Sequence, residues 1–448
     1  MSARTSSGTS APRAVVVGAG PVGCLAAQVL ARHGYTVDVH EKRPHYTEHG
    51  LRYDGRTINL SLSPRGIDAL DGYCDRAALD RLVVPMDRRV RHRPDGRVDV
   101  AGYGRDDWRN LSIDRNDLNL LLMTSADAVP AVRFTFGTEC TGVDPVTRRV
   151  ALTDRRGRSW EAEYDLLVGA DGTHSAVRDR LAEQGLTHCR QHRTGVEYRE
   201  ITLRPPDEDG GGDGYGGGDA DGDGDGRMTP RAIHVWPRDG FFMVGLPSHD
   251  GSLRCTLVLP REGSPGSPGS PDSPAFADLM TEEALRAFLR RHFPDAAEIF
   301  HPAEPDPSKV PVTPISVLTT APVVHDGSVL LVGDAAHTVA PFLGQGVNLG
   351  LEDCAVLARS LARLPGDQAA ALDAYQRERL PEHEAAAALS LANYAELNGT
   401  GPRPAGPDAV PLPTLVNFAS STYREALDIY TRDRRVPVAA RPSRPNGG

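Results

Sequence analysis

Three apolar runs, far apart along 448 residues, end in the same way, and that repetition constrains the fold more than anything else in the chain. Residues 14–18 (AVVVG), 164–169 (YDLLVG) and 329–333 (VLLVG) each read as a buried strand running straight into glycine. Gly18-Ala-Gly20-Pro-Val-Gly23 follows the first run at once and opens the helical stretch CLAAQVLARHG. A further strand, TVDVHE, then ends at Glu41. A lone GxGxxG carries little weight, but between a strand and a helix, with a carboxylate closing the next strand, it predicts a dinucleotide site. Gly18 allows the tight turn, Gly20 lets the backbone approach a pyrophosphate, and Gly23 permits close helix–strand packing. Glu41 is placed to take a ribose hydroxyl.

The second run ends in Gly169-Ala-Asp171-Gly172 and leads into a helix carrying Arg178. The third ends in Gly333-Asp334, passes through a turn with Pro341 and Phe342, and reaches Gly344-Gln345-Gly346, where a helix containing Asn348 begins. An Asp leaving a strand end suits a polyol hydroxyl, and free N–H groups at a helix start suit an anion, such as a reduced flavin ring develops. Three such ends between residues 14 and 346 predict one sheet that the chain repeatedly re-enters. The fold expected is α/β in this part and α+β overall.

Taken together, GAGPVG…E, ADGTHSAVR and GDAAH…P…GQGVN resemble the single-component FAD-dependent aromatic hydroxylases related to para-hydroxybenzoate hydroxylase. Segments outside these motifs are more specific. GRTINLSLSPRGIDAL (55–70), VPMDRR (84–89), SIDRNDLN (112–119), HVWPRDGFFMVGLP (234–247), SLANYAEL (390–397) and PLPTLVNF (411–418) are similar to kynurenine 3-monooxygenases, and the similarity runs from about residue 13 to about 430. The resemblance implies FAD as cofactor, NADPH as co-substrate without a nucleotide domain of its own, and O2 as the source of oxygen placed on an electron-rich ring. The expected reaction is hydroxylation of L-kynurenine to 3-hydroxy-L-kynurenine. No acid–base residue is expected, because the ring amine already activates the ortho carbon.

The same resemblance places Arg89, Tyr103 and Asn393 at the substrate carboxylate, a fork, a phenol and an amide that suit a planar anion. By themselves the residues leave other readings open: Arg89 sits in a basic run, Tyr103 fits a strand edge, and Asn393 fits a helix surface. Arg115 matches a family arginine that contacts FAD. Phe242, with Phe241 and Met243, is expected to line the ring slot, and Pro341 and Phe342 to flank the flavin on the substrate side. One departure stands out. Pro413 occupies the position of a family tyrosine near the carboxylate, and the 394–410 segment is short, so a ring-substituted kynurenine or another anthraniloyl compound stays open as substrate. A non-catalytic flavin-binding redox sensor is the remote alternative.

Composition narrows the partners. A net charge of −10 argues against nucleic acid. Six cysteines without paired spacing read as reduced. The His188-Cys189/His192 cluster lacks a second ligand pair, and the Asp/Gly-rich segment lacks Glu at the twelfth position of a calcium loop, so no metal is expected. No apolar leader or spanning run is present in the sequence, and a soluble, cytoplasmic protein is expected. The expected organisation is interleaved. An FAD-binding part takes 13–80, 105–190 and 315–365, and an antiparallel-sheet substrate part takes 81–104 and 191–314, with flexible insertions at 207–227 and 263–274. Helices occupy 366–435, broken between DQAAALDAYQRERL and EHEAAAALSLANYAEL, while 1–12 and 436–448 are expected to be disordered.

Overall fold

The computed structural model describes residues 11–45, 58–204, 229, 231–261, 274–299, 301–303, 306–398, 401 and 409–434. Except for residues 11, 12 and 274, the expected tails and the two insertions lie outside the described residues, as do residues 55–57 of the GRTINL segment.

The three apolar runs lie side by side. Arg13–Val17 pairs in parallel with Leu166–Gly169 on one edge and Thr36–Glu41 on the other, and Leu166–Gly169 pairs in parallel with Val329–Leu331. The register sets Val17 opposite Gly169 and Gly169 opposite Leu331, so all three strands end at one level. Val132–Phe136 and the short antiparallel strand Val324–His325 complete six strands. Ala14, Val15, Val16, Leu166, Leu167, Val168, Val329, Leu330 and Leu331 are fully buried, as unalternating apolar runs require. Each buried Val or Leu contributes about 1.5–3 kcal/mol.

Two helices cover the strand ends. Pro21–Arg32 begins with proline, whose missing N–H has no partner at that position anyway. Gly346–Arg363 crosses it at Gly350, where a Cβ would come 2.7 Å from the Val22 side chain and 3.2 Å from the Gly333 backbone. Only glycine lets these elements approach so closely.

A nine-stranded sheet forms the second layer. It contains Thr313–Ala321, His188–Arg204, Leu253–Pro260, Phe242–Pro247, Ala232–Pro237, Arg88–His92 and Val98–Gly102, mostly antiparallel, with Ala232–Pro237 parallel to Arg88–His92. Helix Glu282–His292 packs Leu285, Phe288 and Leu289 onto it, beside Trp236 and Met243. A smaller sheet joins Asn59–Leu62, Asn110–Asp114 and Val83–Met86. The strands Val83–Met86 and Arg88–His92 are separated by Asp87 alone, so the chain passes from small sheet to large in one residue.

The Ala-rich region differs from the two helices expected. Gln368–Leu397 is one helix of 30 residues that continues through Pro381. An internal proline costs about 3 kcal/mol. Here side chains on both sides of it are anchored to the same carboxylate: Arg379 Nε and His383 Nε2 donate to Asp353 Oδ1 at 2.8 and 2.9 Å. Among the described residues no helix is long and apolar enough to cross a membrane.

Candidate active site

The glycine turn has the geometry its sequence demands. Gly18 has φ +102°, and a Cβ there would come 2.4 Å from the Ala170 carbonyl oxygen. A Cβ on Gly23 would come 2.0 Å from the Gly18 carbonyl oxygen. Gly20 is different. It has an ordinary φ of −72°, and nothing lies within 4 Å of where its Cβ would be. The helix that follows has neither a capping side chain nor an acidic residue in its first turn. An open cradle at an uncapped helix start fits the pyrophosphate of a dinucleotide.

Glu41 ends its strand as expected but is already engaged. Its Oε1 accepts from Arg43 N and Nε at 2.9 and 2.7 Å, and its Oε2 from Ala19 N and Arg43 NH2 at 2.8 and 3.1 Å. Burial raises its pKa, but the Arg43 hydrogen bonds and charge outweigh that and hold it below the usual value. The carboxylate thus fixes the glycine turn through Ala19, and the part-exposed Arg43 guanidinium lies against its outer side.

The other two strand ends meet the first. Asp171 lies against Gly18 through its backbone, while its carboxylate accepts from Ser175 Oγ (2.5 Å), Ala176 N (2.7 Å) and Val177 N (3.3 Å). That carboxylate caps the helix Ala176–Glu183 rather than facing the crevice. Gly172, at φ +82°, has open space around it. Asp334 is exposed; its Oδ2 accepts from Thr173 Oγ1 at 3.2 Å, and its Oδ1 is 4.0 Å from the Cβ that Gly346 lacks. Arg115, first residue of helix Arg115–Asp127, is exposed and makes no ion pair among the described residues.

Gly344 takes φ +68° after the short turn Pro341–Leu343. Gln345 and Asn348 prove to be braces. Gln345 donates to Asn417 Oδ1 (2.7 Å) and accepts from Tyr423 Oη (2.9 Å). Asn348 donates to the Ser61 and Gly344 carbonyls and accepts from Ser63 N, all at 2.9 Å. Their side chains hold the turn, leaving the N–H groups of helix Gly346–Arg363 uncapped by any side chain.

Behind Asp334 lies a group that sequence reasoning missed. Asp353 is fully buried, and its oxygens accept from His337 (2.7 Å), His383 (2.9 Å), Arg379 (2.8 Å) and Gly333 N (2.9 Å). Burial and neighbouring charges push His383 down to about 3. These three residues have the ligand spacing of a metal site, but both carboxylate oxygens are taken and a guanidinium stands beside them. The group fixes the Gly333-Asp334 turn. His337 in GDAAH is the one signal that pointed to it.

On the other side of the turn lies an aromatic slot. Phe342 meets Phe242 edge-on at 5.1 Å and stacks on Tyr394 at 4.9 Å. Phe241 and Met243 do not join them. Neighbouring strand residues point to opposite faces, and these two pack with Phe288 and Phe293 under helix Glu282–His292. Asn393 is buried and donates to the Phe342 carbonyl at 2.9 Å, holding the slot rather than standing free. Pro341 is exposed at the turn's start.

Arg89 is partly buried and has no ion-pair partner among the described residues. Burial lowers its pKa, against the pull of Tyr103 and Glu396. Glu396 stands one turn beyond Asn393 on the same helix. Tyr103 is buried, its Oη meets no partner of hydrogen-bond geometry, and its ring packs on Phe418 at 4.7 Å, which in turn stacks on Trp108. The segment carrying Pro413 therefore does run beside Tyr103.

Residues 12–204 and 281–390 match the FAD binding domain family. The chain is 40% identical over 387 residues to the kynurenine 3-monooxygenase of Salinispora arenicola, covering 86% of this chain and 80% of that one. It is 30% identical over 437 residues to that of Christiangramia forsetii, covering 94% and 92%. In fold it is similar to PqsL of Pseudomonas aeruginosa, a probable FAD-dependent monooxygenase, with TM-score 0.66 and 22% identity over 87% of this chain and 97% of that one. An uncapped dinucleotide cradle, a third strand end braced beneath it and an aromatic slot beside it agree with these matches, and the chain belongs to the kynurenine 3-monooxygenase family of FAD-dependent monooxygenases.

Proposed function

We propose that the chain hydroxylates L-kynurenine at ring carbon 3, with NADPH as reductant and O2 as oxygen donor. The observation that carries this reading is Arg89, a part-buried cation without an ion pair among the described residues, beside the buried Tyr103 phenol whose one hydrogen-bonding neighbour among them is the Asn110 amide. Such a pair suits the carboxylate of an amino-acid substrate. When bound, the flavin supplies the electron transfer and oxygen activation. The chain's own groups bind, orient and exclude water. Arg89 and Tyr103 hold the carboxylate, and Phe242, Phe342 and Tyr394 enclose the ring and keep water from it. Asn393 keeps the Phe342 turn in place, and Pro341 borders the slot. Gly18, Gly20 and Gly23 take the pyrophosphate, and Glu41 and Asp334 take hydroxyls. Arg115 faces the cofactor, and the N–H groups at Gly346 take the anionic edge of the reduced ring.

The same reading assigns 13–80, 105–190 and 315–365 to cofactor binding and 81–104 with 191–314 to the substrate, and puts the protein in the cytoplasm. Thr313–Ala321, paired in the large sheet, shares its strand between the two. The test is NADPH oxidation with and without kynurenine, followed by mass spectrometry of the product. Equal rates under both conditions would remove the hydroxylase reading. Pro413 favours a second substrate, a ring-methylated kynurenine, and parallel turnover of the two compounds decides between them.

A further inference from the structure

Asn110 opens the strand Asn110–Asp114 and is fully buried, and apart from a side-chain interaction with the Tyr103 hydroxyl its amide meets no hydrogen-bond partner among the described residues. Buried amides are almost always fully satisfied, so one with capacity left over is matched to something polar that arrives there. Two ladders fix its position. Asn110 lies opposite Met86 in the small sheet, and Gly102 lies opposite Arg88 in the large one. Asn110 and Tyr103 therefore flank Asp87, the single residue joining the sheets. The Tyr103 hydroxyl faces the Asn110 amide, has no other partner of hydrogen-bond geometry among the described residues, and feels charges of opposite sign, Arg89 and Asp87. Asp87 is held in place by Arg88 at 2.7 Å and Arg231 at 2.9 Å. A guanidinium, a phenol, an amide and a fixed carboxylate thus gather where the small sheet passes into the large one.

Resting on the kynurenine reading above, we propose that Asn110 is a substrate-binding residue that selects the α-amino-acid zwitterion, its amide carbonyl accepting from the α-ammonium while Arg89 holds the carboxylate. Tyr103 bridges the two groups, and the Asp87 charge favours the ammonium at Asn110 over the reversed pose. An acid with the same ring and no α-amine leaves the Asn110 carbonyl open and gains nothing from it. The inference gives this chain a polar contact on the side of the site where Pro413 supplies none.

The experiment titrates FAD-loaded wild type, Asn110→Leu and Asn110→Asp with L-kynurenine and with 4-(2-aminophenyl)-4-oxobutanoate, which keeps ring and carboxylate and lacks only the α-amine. Asn110→Leu is expected to loosen kynurenine by about ten- to a hundredfold, the size of a hydrogen bond to a charged group. The deaminated compound should change by less than about threefold. Asn110→Asp should keep kynurenine affinity. The ligand-free Asn110→Leu protein should melt close to wild type, because it loses only the contact with the Tyr103 hydroxyl. Equal loosening of both compounds, no loosening of either, or a collapse of the melting temperature would overturn the assignment. Wild type that binds neither compound overturns the kynurenine reading and this inference together; wild type that binds kynurenine while Asn110→Leu binds it equally well overturns this inference alone.

Discussion

Glu396 pairs with Arg434, Oε1 to Nε at 2.8 Å, and so leaves Arg89, whose charge it feels, without an ion pair. A guanidinium does not shed its proton to escape burial. It keeps its charge in a place of low polarity and waits for an anion. A charge-assisted pair with a carboxylate is worth about 1.5–3 kcal/mol. Arg89→Ala should therefore raise the kynurenine dissociation constant by roughly ten- to a hundredfold while FAD stays bound. Arg89→Lys should recover only part, since an ammonium cannot make two parallel bonds. Substrate titration of FAD-loaded variants checks this, and unchanged affinity in Arg89→Ala would return the residue to its solvated basic run.

The same arrangement makes Arg434 a remote control of the site. Its side chain is buried against Glu396, and its guanidinium stacks over Tyr430. In Arg434→Leu the Glu396 carboxylate loses its partner and is expected to turn to Arg89, whose charge it already feels. Kynurenine affinity should then fall although Arg434 touches no substrate, and Glu396→Gln in the same chain should restore it. If the double variant binds no better than Arg434→Leu, the loss came from damaged packing.

Gly18 and Gly20 are expected to fail in different ways. Gly18→Ala forces a Cβ into the Ala170 carbonyl at positive φ, so it should lose FAD and also lower the melting temperature of the FAD-free protein. At Gly20 a Cβ meets no neighbour within 4 Å and φ is allowed, so Gly20→Val has room to fold. It should fold with the melting temperature of FAD-free wild type and purify colourless. Stoichiometric FAD on Gly20→Val would move the pyrophosphate elsewhere.

The contrast shows what a sequence carries. Strand–glycine–helix starts are legible because the chemistry is local: the tight turn, the close approach and the uncapped helix all lie within ten residues. Gln345 and Asn348 sit in an equally legible motif, yet their side chains serve Asn417, Tyr423, Ser61 and Ser63, which only the folded chain brings near. Asp171 looks like a cofactor ligand and is a helix cap for the same reason. Pro381 reads as a break because proline costs a helix its hydrogen bond; Asp353, nearly thirty residues earlier, supplies the anchor that carries the helix through. Asn110 gives no signal at all in sequence, since an amide with bonding capacity left over is a property of its surroundings.

Three buried histidines set the acid limit of the fold. Burial pushes His40 and His234 down to about 4 and His383 down to about 3, from an ordinary value of 6.5. The sign follows from proton counting. Between 6.5 and those values the unfolded chain binds protons that the folded chain refuses, so the stability is complete above pH 6.5 and is lost as pH falls toward 4. Each histidine removes at most about 1.4 kcal/mol per pH unit in that window. Asp117, Asp171, Glu197 and Glu352, raised by burial, act with the opposite sign and offset part of this loss. The melting temperature of the FAD-loaded protein should therefore drop across this interval. His40 is the residue to vary, because neither ring nitrogen has a partner to lose. His40→Phe should keep the contact with Trp160 and make the slope shallower, because one proton of those that drive it is removed. A melting temperature that rises from pH 6.5 to 5, or a slope unchanged in His40→Phe, would place the acid sensitivity in other groups.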